Sequence, residues 1–222
     1  MANREIVTHV WSPLDVGEQR WLIWGNAGAM VVIVAVGLAR IIWGIDLQLM
    51  TADAGAVEAS PVAGIMSNIG ILVWAAGAGI PLFTSFYSHG WQARLLRAGG
   101  LMTLLLAIDD TLMLHDEALP ALGIPESVVL AVLGLLTAGF LVWYRRHVLA
   151  GPKVFMMLAV AGFTLMLVLD TLEPLGLLKG HAVIEEGFKL IAIVNWTGYF
   201  VMLAARTLAG RLTEERRDMQ TQ

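Results

Sequence analysis

The sequence predicts an all-α, polytopic integral membrane protein, one bundle of six transmembrane helices over residues 1–222 with both termini in the cytoplasm. Three observations predict it. Of the 222 residues 58% are hydrophobic and only 14% charged, whereas a soluble domain carries about 25% charged residues. Six apolar runs approach the roughly 20 residues that a helix needs to cross a bilayer. The basic residues also alternate by side. Arg4, Arg20, Arg94, Arg97, Arg145, Arg146, Lys153, Arg206, Arg211, Arg216 and Arg217 fall on one side, against Arg40, Lys179 and Lys189 on the other. Short loops rich in Lys and Arg stay in the cytoplasm, so the orientation follows.

The spans are expected near 21–43, 62–87, 98–115, 128–144, 154–172 and 182–205. Helices are required because an unpaired backbone group in lipid costs several kcal/mol. The first run is too long for the apolar core of a signal peptide, about 7–15 residues, so Ala52-Asp53-Ala54 reads as connector rather than cleavage site. In the second, Pro81 reads as a tolerated kink. The third runs from beyond Arg97 through Asp109 and Asp110 to His115, and the fourth is almost free of ionisable groups. The fifth ends Leu169-Asp170-Thr171-Leu172-Glu173, and the sixth begins at His181.

Side chains within these runs suggest how they pack. The steps Gly25/Ala29, Ala63/Ser67 and Ala75/Gly79 read as close helix contacts, and Trp21, Trp43, Trp91 and Trp143 as an interfacial belt. Asn26, Asn68 and Asn195 read as hydrogen-bond partners between helices.

Composition also limits function. A net charge of −4 argues against nucleic acid. With no cysteine there is no disulfide framework, thiolate nucleophile or thiolate-bound cluster. The expected setting is a bacterial inner (plasma) membrane, with lipids as partners and the chain in a homo-oligomer or a larger membrane complex.

Polar chemistry gathers at one end of the third, fifth and sixth spans, where an acidic cluster faces outward. Asp109 lies twelve residues beyond Arg97, about 18 Å along a helix that crosses about 30 Å of hydrocarbon. Charges at that depth are expensive unless paired or wet, and by default they mark function. In an unbroken helix Asp109 and Asp116 share a face, as do Asp110 and Glu117. Asp170 with Glu173, and His181, Glu185 and Lys189 at steps of four, each line one face as well.

Two imidazoles among carboxylates from several helices suit a divalent metal, zinc or iron. The expected ligands are Asp109, His115, Asp116, Asp170, Glu173, His181 and Glu185. Asp110 or Glu186 would act as general base, Lys189 would stabilise negative charge, and Arg40 at the rim would hold a substrate phosphate or carboxylate. A metal-bound water of lowered pKa then gives a hydrolase acting on a lipid or peptide bond at the outer leaflet. The alternatives are a cation or proton transporter that uses the same carboxylates, or a non-catalytic membrane subunit; Asp110 or Asp109 with Lys189 also reads as a structural ion pair that holds the third span against the sixth.

Glu185-Glu186-Gly187-Phe188-Lys189 resembles the EExxK motif of the PrsW-type intramembrane proteases and, more loosely, the EExxxR motif of the CAAX-processing proteases. The resemblance covers these five residues and implies an intramembrane peptidase. Intramembrane Asp and His also look like those of the seven-span zinc hydrolases of the alkaline ceramidase and adiponectin-receptor group, which use three histidines where this face offers His115 and His181. The lysine-arginine and histidine signature of six-helix lipid phosphatases is missing, and no GxSxG, HExxH or Walker motif occurs.

Overall fold

The computed structural model describes residues 16–43, 65–172 and 182–220. These form α1 (Val16–Trp43), α2 (Ile65–Phe86), α3 (Gly90–Leu112), α4 (Glu126–Ala150), α5 (Lys153–Leu172) and α6 (Ala182–Gln220). A π-helical turn (Leu114–Ala118) and a 3₁₀ turn (Pro120–Leu122) join α3 to α4. There is no strand among the described residues. Five of the helices, all but α3, are long and apolar enough to cross a membrane. Their outward faces are apolar too, with Trp24, Leu135 and Trp143 at least 73% exposed, as a helical membrane protein requires. The composition of α3 differs because Arg94 and Arg97 sit near its start and Asp109 and Asp110 near its end.

The bundle is organised around α6, which packs against α5, α2 and α1. Ala192 to Phe200 are buried without a break. A helix enclosed on every side has to be apolar all round, and this stretch carries Trp196, Tyr199 and Phe200 as its largest side chains. Trp196 packs among Trp74, Phe140, Phe163 and Phe200, with ring centroids 5.6–6.5 Å apart. Such close approach requires small residues opposite these rings. A Cβ on Gly99 of α3 would collide with the Phe200 ring, one on Gly77 of α2 with Thr197, and one on Gly100 would come within 2.6 Å of Leu82.

Two sequence readings are corrected here. Ala75 and Gly79 do not make the α2 contact. Both are exposed, while Gly77 and Ala78, on the adjoining face, are buried. The tryptophans are also not simply a belt: Trp21 packs against Gly198 of α6 and Trp91 stacks on His147 at 4.8 Å, although Trp143 is 83% exposed. Asn26 and Asn195 pair across α1 and α6, Asn195 Nδ2 donating to Asn26 Oδ1 at 2.7 Å, whereas Asn68 is exposed.

In contrast to α6, α4 buries only Val129 and Val148, close to its two ends. Its middle turns are only partly covered, with Phe140 reaching the Trp196 and Phe200 rings. The fold contains both a crowded axis and a loosely covered flank, and they respond differently to added volume. Replacing Gly99 by Val should lower stability by about 1–3 kcal/mol through overpacking against Phe200. At Gly134 of α4, where an added Cβ meets nothing within 4 Å, the same change should cost less than about 0.5 kcal/mol. Thermal unfolding of both variants in one detergent measures the difference.

Candidate functional site

The site depends on how α3 ends. The sequence favours a helix continuing to His115, and in such a helix His115 would lie about 9 Å along the axis from Asp109 and on another face. Instead, α3 stops at Leu112. Met113 adopts a left-handed conformation (φ 49°), its N–H donating to Asp109 O, and it is the only positive-φ residue other than glycine among those described. The chain turns back over the helix end, Glu117 and Ala118 N–H both donating to Met113 O. The expected Asp109/Asp116 and Asp110/Glu117 faces of one continuous helix are therefore absent. Pro120, which cannot extend a helical ladder, follows in the 3₁₀ turn.

This turn places His115 between two carboxylates. Its Nδ1 lies 2.7 Å from Asp109 Oδ2 and its Nε2 3.2 Å from Asp116 Oδ2. Asp109 is buried and Asp116 exposed, so the imidazole bridges an enclosed carboxylate and the surface. Burial opposes the imidazolium. The hydrogen bond to Asp109 and the charges of Asp116 and Asp109 together outweigh burial and the repulsion from Lys189, and the pKa is raised above 6.5.

Asp110, the next residue, turns toward α6. Its Oδ1 is 2.6 Å from Lys189 Nζ, and Glu186, one turn earlier on α6, is 3.8 Å from the same ammonium. Asp110 and Lys189 are 7% and 15% exposed, so the pair is mostly out of water. Each aspartate also keeps one oxygen, Asp109 Oδ1 and Asp110 Oδ2, buried without a hydrogen-bond partner.

Both pairs cap a cavity of about 360 Å³. Asp109, Asp110, His115 and Lys189 line its polar end. Leu130, Leu133, Gly134, Thr137, Ala138 and Leu141 of α4 form one wall, Phe163, Thr164 and Leu167 of α5 another, and Trp74 and Trp196 its floor. The threonines spend their hydroxyls on their own helices: Thr137 Oγ1 donates to Leu133 O and Thr164 Oγ1 to Val160 O, both at 2.8 Å. Trp196 Nε1 donates to Thr103 Oγ1 at 2.8 Å. The body of the cavity is thus apolar, and its charge is gathered at one end.

Of the expected site residues, Asp109, Asp110, His115, Asp116, Glu186 and Lys189 come together. Asp170 and Glu185 are half-buried on α5 and α6 but do not line the cavity. Glu173, His181, the Ala52–Ala54 segment and the side chain of Arg40 lie outside the described residues. Among the described residues no group of three His, Asp or Glu is arranged to hold a metal ion, and both nitrogens of His115 already face carboxylates. Sequence reasoning missed Trp74 and Trp196. Each is one apolar residue among many in its span, and no local pattern marks the cavity floor.

The sequence pattern of a family described as a domain of unknown function (DUF8692) matches residues 26–203, a stretch that contains every residue of the site. No curated protein and no solved structure matches the chain.

Two predictions follow from the pairs. Asp110→Asn takes the nearest carboxylate away from the mostly buried Lys189 ammonium and should destabilise by about 3 kcal/mol, whereas Asp110→Leu combined with Lys189→Met should recover most of that loss. Chemical denaturation of the two variants in micelles tests this. His115 has its pKa raised in the folded state, so its stabilising contribution is complete below the unfolded value near 6.5 and is lost as pH rises through the folded value. The melting temperature should fall over that interval, and His115→Gln should remove this component of the pH dependence.

Proposed function

As the chain belongs to the DUF8692 family, whose description assigns no activity, we propose from its own geometry that it is a membrane-embedded enzyme, a hydrolase acting on the polar end of a lipid-like molecule held in the cavity between α3, α4, α5 and α6. One observation carries this reading. An imidazole held between a buried and an exposed carboxylate stands at the head of an apolar cavity.

In this reading the chain crosses a bacterial inner membrane six times, with α3 as the sixth crossing segment, both termini in the cytoplasm and the acidic cluster outward. The distribution of arginine and lysine supports the orientation. His115, kept charged by its two carboxylates, gives its Nε2 proton to the leaving group as that group displaces Asp116, the more distant and more exposed of its two partners. Asp109 positions the ring, and Asp116 returns the proton from outer water. Glu186 accepts the proton of the attacking water, while Lys189 holds Asp110 in position. A zinc- or iron-dependent version of this enzyme would use His181 and Glu173 with Asp109 and His115 as ligands. Elemental analysis of purified protein separates the two, since stoichiometric metal is expected only of the metal-dependent version.

The test is turnover of a panel of single-chain lipid esters, amides and phosphoesters by protein in nanodiscs. At least one class should be cleaved, and His115→Gln should slow it by about 10²–10⁴-fold. A folded wild-type protein that cleaves none of them overturns the enzyme. A second reading, proton-coupled transport, is favoured by the same Asp116–His115–Asp109 chain. It requires proton flux in dye-loaded proteoliposomes that Asp109→Asn abolishes.

A further inference from the structure

The polar end of the cavity is lined by Asp109, Asp110, His115 and Lys189. Among the described residues, Asp116 and Glu186 lie outside this lining, 3.2 Å from His115 Nε2 and 3.8 Å from Lys189 Nζ. Lys189 is already engaged at 2.6 Å by Asp110, so it offers little to an incoming anion. Asp109 Oδ1 and Asp110 Oδ2 are acceptors that the protein leaves unmet, and a buried acceptor without a donor is costly. A carboxylate or phosphate head would set anionic oxygens against these two carboxylate oxygens. A head with N–H or O–H groups supplies the donors they lack, and an ammonium adds opposite charge.

The apolar body sets the rest of the ligand. From Leu130 to Leu141 the α4 wall extends about 16 Å along its axis, and about 360 Å³ lies at the lower end of the range for ligand sites. These dimensions suit one chain. Because α4 is buried only at Val129 and Val148, the wall between them is where such a chain reaches the cavity from the side.

Resting on the reading of this cavity as the substrate site, we propose that its ligand is a single-chain amphiphile with a hydrogen-bond-donating, non-anionic head, a long-chain amine or amino alcohol. The amine end lies at Asp109 and Asp110, and the chain runs between α4 and α5 over Trp74 and Trp196. This reverses the sign expected when Lys189 and Arg40 are taken as a clamp for a phosphate or carboxylate.

Bromine quenches indole emission at short range, so the cavity floor reports occupancy. Brominated dodecylamine should quench a tryptophan component of the detergent-solubilised protein that Trp74→Phe reduces. It should bind at least about tenfold more tightly than brominated dodecanoate, as like-charge repulsion at the head predicts. Gly134→Leu adds bulk on the cavity wall where a Cβ meets nothing, and it should weaken the amine at least about tenfold while leaving the protein folded. Equal binding of amine and carboxylate, both lost in Gly134→Leu, overturns the head-group assignment and leaves the cavity as the substrate site. Quenching that neither Trp74→Phe nor Gly134→Leu alters overturns the amine proposal and the choice of cavity together. Asp110→Asn, if it folds, should narrow the preference for amine, and an unchanged preference counts against the proposal.

Discussion

Everything in this bundle depends on the close approach of other helices to α6. Phe200 lies over Gly99, Thr197 over Gly77, and the Trp196 indole is enclosed by rings from α2, α4 and α5. Apolar surface outside a membrane helix is no worse off against lipid than against another helix, so association relies on packing and on interhelical hydrogen bonds. The glycines supply the first. Asn26 with Asn195 and Trp196 with Thr103 supply the second. Because α6 is fixed in this way, Lys189, two turns before Trp196, is held against Asp110.

The position of that pair has a consequence for chemistry. Two carboxylates on consecutive residues point in different directions around α3, one to α6 and one to the turn that follows. Asp110 finds a lysine and Asp109 a histidine, so neither charge is left alone in a medium where isolation is very costly. The same arrangement brings Asp109, Asp110, His115 and Lys189 to one end of an apolar cavity. Structural pairing and the proposed reactive site are not competing accounts of these residues.

The weakly covered helix α4 contrasts with this rigid axis. Its middle turns leave the cavity shielded by little protein, and that is tolerable because its outward side is apolar. A flank of this kind in a water-soluble protein would be an exposed apolar patch; against lipid it carries no such cost.

Much of this was legible in the sequence. Hydrophobic runs and the low charge content gave the helices, because lipid permits few other structures, and five of them are long and apolar enough to cross. That Lys189 could reach the Asp109–Asp110 pair followed from helical rise, and polarity within apolar runs marked Asn26 and Asn195 as partners between helices without saying that they meet each other, while Asn68, read the same way, is exposed. The end of α3 was not legible. Methionine favours helix and gives no sign of a left-handed residue, so the face shared by Asp109 and Asp116 was an extrapolation of a period that the chain abandons at Met113. The sequence by itself determined which charges had to be reconciled with an apolar interior. Only the tertiary structure decided their partners, because pairing depends on the turn at Met113 and on which face of α6 the glycines allow to approach.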